Sequence, residues 1–164
     1  MPLAMELQPL GSQLAGSSAV LFVACSICPR MHIQHRASEP LYSWRTLLGR
    51  KDAFDRYMEM QVASAQASGV AAAWHRSSAL SAACLWTEAD GAKFRKKADL
   101  FDALAVIGCE SAVATIKRLA PHKPVAQLTK VVGVANFSLR RRWPITLEIV
   151  GAESVPLPQP ASGA

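Results

Sequence analysis

Residues 18–24, Ser-Ala-Val-Leu-Phe-Val-Ala, form an apolar run that ends directly on Cys25, with Cys28, Pro29 and Arg30 close behind. A second run, Ala103-Leu104-Ala105-Val106-Ile107, ends the same way, in Gly108-Cys109-Glu110. Short continuous apolar runs suit strands buried on both faces, as in a parallel sheet covered by helices. Helical spacing fills the intervals. Phe54, Tyr57, Met58, Gln61, Val62 and Ala65 recur at offsets of three and four after the capping residue Asp52, and Val113, Ile116 and Leu119 do so before Pro121. The fold expected is α/β: a small doubly wound, mostly parallel sheet.

Residues 18–24, 70–74, 103–107 and 124–128 are the expected strands one to four. A sheet order of 2-1-3-4 makes strands one and three neighbours about 4.8 Å apart, at the switch point where open α/β sheets build their sites. Cys25 and Cys109 would then stand side by side. Beyond strand four, residues 131–139 and 145–150 read as a hairpin at one sheet edge, joined through Arg140–Pro144. Ser77 or Ser78 is expected to cap a helix carrying Leu80, Cys84 and Leu85, and Gly91 to break it. The boundaries expected are a flexible leader over 1–16, a single α/β domain over 17–155 and a flexible Pro-rich tail over 156–164.

Half of the 164 residues are hydrophobic and 18% are charged, which allows a packed core and excludes wholesale disorder. The net charge of +6 gathers at Lys93, Arg95, Lys96 and Lys97 and at Arg140, Arg141 and Arg142, which suits an anionic ligand. A basic nucleic-acid-binding module is a minor alternative. It is disfavoured because Trp44, Trp74, Trp86 and Trp143 read as core or groove packing. Phe22-Val23-Ala24-Cys25 looks superficially like a lipoprotein cleavage site, yet no Lys or Arg precedes residue 30 and Glu6 stands where positive charge is wanted. Gln8, Gly11, Ser12 and Gln13 interrupt the apolar stretch, so no membrane partner and a cytoplasmic location are expected. Four cysteines in that compartment favour metal-bound, redox-active or unpaired thiols over structural disulfides.

Cys25-x-x-Cys28 is a spacing that lets two sulfurs turn toward one ion. With Cys109 beside Cys25, and Cys84 as a fourth ligand, the set suits a metal ion such as zinc, or an iron–sulfur cluster. Cys84 and Cys109 also fit as small buried hydrophobes. His32 and His35, beside Gln34 and Arg36, read as a solvated helix face. A helix starting near Pro29, together with Arg30, would lower the pKa of Cys25 or Cys28 and favour redox use.

Val20-Leu21-Phe22-Val23 followed by a cysteine, a short loop and an arginine resembles the low-molecular-weight tyrosine phosphatases and the related arsenate reductases, as does Phe101-Asp102-Ala103-Leu104-Ala105-Val106. The resemblance implies a 2-1-3-4 sheet, Cys25 as nucleophile and Arg30 as binder of an oxyanion, with Cys84 or Cys109 as redox partners. The chain departs from that family's pattern in four places. Its loop is Cys-x4-Arg where the family has Cys-x5-Arg, Pro29 removes a backbone donor, the loop has no glycine, and no Asp-Pro pair is present.

Overall fold

The structure is a computed structural model that describes residues 3–8, 14, 16–76 and 82–157. In chain order its strands are β1 (Leu3–Leu7), β2 (Ala19–Ala24), β3 (Ala71–His75), β4 (Ala103–Ile107), β5 (Val125–Gln127), β6 (Thr129–Arg142) and β7 (Thr146–Pro156). The helices are α1 (Cys28–Arg36), α2 (Trp44–Leu47), α3 (Ala53–Ala67), α4 (Glu88–Ala98) and α5 (Glu110–Leu119), with a short 3-10 turn over Ala83–Leu85.

Four strands make a parallel sheet in the order β3-β2-β4-β5, which is the expected 2-1-3-4 arrangement of the apolar runs. Alternation along β2 and β4 divides the core between the two faces of this sheet. Val20, Phe22 and Ala24 join Ala103, Ala105 and Ile107 beneath α1 and α3, through Ile33, Phe54 and Met58. Leu21, Val23 and Cys25 join Leu104 and Val106 on the other face, against Phe94, Ala98, Ala112 and Ile116 of α4 and α5. Burial on both sides explains why these strands are apolar throughout.

The C-terminal strands pair antiparallel as expected, but in a sheet of their own, ordered β1-β6-β7. The chain passes between sheets at Leu128, whose N–H donates to Val106 and whose carbonyl accepts from Gln8. The segment expected as a flexible leader supplies β1, which pairs with β6 and buries Ala4 and Met5. Its apolar alternation is too short to stand out without the partner strand. β7 extends through Pro156, so the expected tail begins later, and its residues 158–164 lie outside those described.

Gly91 does not break a helix. Thr87 and Asp90 form a reciprocal cap that starts α4, and Gly91 follows inside the helix where it crosses α5. A Cβ there would stand 3.0 Å from Leu119 Cδ2, so the missing side chain permits the close crossing. Residues 77–81, expected to open a helix, lie outside the described residues, and Cys84 falls in the 3-10 turn. Among the described residues no helix is long and apolar enough to cross a membrane.

Candidate functional site

The carboxyl ends of β2 and β4 place two of the expected cysteines next to each other. Cys25 lies one residue past β2, and its N–H continues the ladder by donating to the Ile107 carbonyl at 2.9 Å. Gly108 stands opposite: a Cβ added to it would meet Cys25 Cβ at 3.4 Å and Ala112 Cβ at 2.8 Å. The turn from β4 into α5 therefore needs glycine, so that Cys109 can follow at once as the N-cap of α5. Its side chain makes no capping bond and is half-buried.

Two side chains lock this turn. Thr129 Oγ1 accepts from the Gly108 N–H at 3.0 Å, and its hydroxyl donates to the Gly108 carbonyl. Gln127 Nε2 donates to the same carbonyl at 3.1 Å. Sequence reasoning missed both residues. Each lies on or beside β5, the strand hydrogen-bonded to β4, and only the pairing of those strands brings it near the cysteines.

A third loop meets the same spot. Ala83, 1% exposed, packs into the core face that holds Cys25 and carries the exposed Cys84 with it. The backbone N–H groups of Ile27 and Ala83 both donate to the Cys25 sulfur. Burial pushes the Cys25 thiol up; those two bonds pull it part of the way back, and negative charge on Cys109 or Cys84 would raise it further. The lowered Cys25 pKa expected from the helix start and Arg30 is thus reversed, because desolvation outweighs the favourable dipoles. Cys28 is the first residue of α1, half-buried, with Ile27 as its N-cap. All four cysteines are among the described residues and none forms a disulfide. No group of three or more His, Cys, Asp or Glu side chains stands in ligand geometry among the described residues.

Arg30 turns away from this loop. It forms a buried ion pair with Asp52, which also caps α3 by accepting from the Asp55 N–H at 2.9 Å. Its guanidinium lies between Tyr42 and Phe54, 5.1 Å from each ring centre. A cation so committed holds α1 to α3, and the anion-binding role implied by the family resemblance has no open guanidinium to use. The α1 histidines have their own neighbours. His35 meets Phe137 edge-on at 6.0 Å, while burial lowers the pKa of His32, with Arg36 and His35 adding to the shift. Behind the 3-10 turn, His75, Trp86 and Phe94 pack ring to ring.

The tryptophans divide. Trp74 packs against Phe54 and Trp86 against Phe94, as expected of core residues. Trp44 is 42% exposed and Trp143 is 92% exposed, so the reading of Trp143 as a packing residue is corrected. Trp143 follows the last residue of β6, at a hairpin tip that reaches no core.

Comparison of the chain with protein-family models, with curated proteins and with solved structures finds no match.

Proposed function

We propose that the cysteines at the carboxyl edge of the parallel sheet bind a soft or borderline metal ion, or an iron–sulfur cluster. Cys25, Cys109 and Cys84 supply three sulfurs, and Cys28, at the first turn of α1, the fourth. The observation that carries the reading is the meeting of three cysteine-bearing loops, those after β2, β3 and β4, at one end of the sheet. A bound cation favours the thiolate form, which offsets the upward push that burial gives the Cys25 thiol. Ligand geometry requires these side chains to move from where they stand, since no three of them meet it among the described residues. Gly108 and Thr129 serve as positioning residues.

A cysteine-nucleophile enzyme, a phosphatase or oxyanion reductase acting through Cys25, is supported less well. It needs an acidic thiol and an available arginine, whereas burial raises the Cys25 thiol and Asp52 occupies Arg30. Purification without oxygen, from cells supplied with zinc and iron, separates the two. The metal reading expects close to stoichiometric metal in the wild type, loss of it in a Cys25→Ser, Cys109→Ser double variant, and visible absorption if the centre is a cluster. Metal-free wild type that hydrolyses an aryl phosphate, with the activity lost in Cys25→Ser, would overturn it in favour of the nucleophile.

A further inference from the structure

The longest paired strands of the chain carry none of the cysteines. β1 pairs with β6 over residues 129–134, so from Ala135 to Arg142 β7 is the only strand paired with β6 among the described residues. The result is a two-stranded arm. Its outer part is exposed and ends in Arg140, Arg141, Arg142 and Trp143. Arg142 pairs with Glu148 across the arm at 3.0 Å, while Arg140 and Arg141 have no carboxylate partner among the described residues. The arm is held to the body close to its tip, where Tyr42 bridges to Leu147, the register partner of Arg141.

Beside that contact lies an open cleft of about 470 Å³. Thr146, the register partner of Arg142, lines it together with Trp44, Arg45, Arg50 and Lys51 and with the carboxylates Glu39 and Asp52. The Arg45 guanidinium lies 5.5 Å from the centre of the half-exposed Trp44 ring. Cationic side chains thus border both the cleft and the hairpin tip beside it, with exposed indoles at Trp44 and Trp143, while the cleft's carboxylates, Glu39 and Asp52, are held by Arg56 and Arg30.

We propose that this arm and cleft bind single-stranded nucleic acid. Guanidinium groups fork onto phosphate oxygens and stack on bases, and exposed tryptophans offer platforms to any base regardless of sequence. A duplex hides its base faces and would leave both indoles without a use. An anionic bilayer is the competing occupant, but a flat surface does not enter the cleft beside the tip. The inference is independent of the thiol site.

Fluorescence anisotropy with labelled oligo(U) and oligo(dT) of about 20 nucleotides tests it on the full chain. Four neutralised phosphates predict affinity about 50-fold weaker at about 200 mM than at about 50 mM salt. Trp143→Ala should weaken binding roughly tenfold, and Trp143→Phe should restore much of it, since the side chain is exposed and neither change disturbs a core. Arg140→Gln with Arg141→Gln should weaken binding and flatten the salt dependence. A Lys93→Gln, Lys96→Gln control on α4, which removes the same charge elsewhere, should change little. Equal losses in that control would reduce the effect to net charge and overturn the proposal. No binding at low salt would also overturn it, as would capture by phosphatidylserine vesicles without oligonucleotide binding. A ratio between oligo(U) and oligo(dT) tells which nucleic acid the surface prefers.

Discussion

The Cys25 N–H donates to the Ile107 carbonyl at 2.9 Å, one step beyond the last paired residues of β2 and β4. This bond keeps the two strands in register to the point where both chains turn into helices. It delivers Cys25 and Cys109 to one edge.

Gly108→Ala tests how tight that edge is. The added methyl would stand 2.8 Å from Ala112 Cβ and 3.4 Å from Cys25 Cβ, and α5 must shift to admit it. The expected cost is about 1–3 kcal/mol, read from denaturant unfolding, with a loss of bound metal that exceeds the loss of folded protein.

Thr129→Val keeps the volume and removes the hydroxyl that bonds both groups of Gly108. A buried N–H left without its acceptor costs about 1–3 kcal/mol. Thr129→Ser should recover most of the stability, and measuring metal affinity alongside shows whether the clamp positions Cys109 or only stabilises the turn.

Asp52→Asn separates the ion pair from the helix cap. Asparagine still caps α3, but it leaves the Arg30 guanidinium buried between Tyr42 and Phe54 without its counter-charge. A loss of about 3–5 kcal/mol is expected. A loss below 1 kcal/mol in chemical unfolding, by contrast, would mean the pair is exposed in solution and Arg30 is available to an anion.

The strands of the parallel sheet were legible because burial on both faces leaves an apolar signature, and β4 coincides with its run, Ala103–Ile107. Asp52 was legible as a cap for the same local reason. Local signals could not reveal that β6 and β7 leave that sheet, because the crossing at Leu128 depends on β1 arriving from the far end of the chain. Nor could they reveal that Arg30 faces Asp52. Arg30, one position past Pro29, reads the same whichever side of α1 it faces until α3 is packed beside it. At the candidate site, the adjacency of Cys25 and Cys109 followed from strand order, whereas the Thr129 clamp has no signature in sequence.

Acid should destabilise the protein in two separate windows. Burial, with Lys97 second, lowers the pKa of His75, and burial lowers that of His32. A histidine whose folded pKa is depressed binds its proton more tightly when unfolded, so its contribution is complete above about pH 6.5 and is lost as pH falls below that. Asp90 and Asp102 are also held low, chiefly by hydrogen bonds from Thr87 and Ser18. Their contribution is present above about pH 3.9 and fades only below it. Melting temperatures of chelator-treated protein between about pH 8 and pH 5 should fall in the wild type and fall less in His75→Gln.

Stripping the metal gives a stability test of the thiol centre. A ligand bound only by the native state at a hundredfold excess over its dissociation constant stabilises by about 2.7 kcal/mol. A strong chelator should therefore lower the wild-type melting temperature and leave a Cys25→Ser, Cys28→Ser double variant nearly unchanged. Metal content is measured after treatment, since a slowly exchanging ion would mimic indifference.

X-ray absorption at the metal edge of protein purified without oxygen tests the central claim most directly. The account predicts a shell of three or four sulfurs at about 2.3 Å for zinc, reduced in Cys109→Ser, or iron–iron scattering if the centre is a cluster. A first shell of nitrogen and oxygen alone, or wild-type protein without metal after growth in zinc and iron, would contradict it.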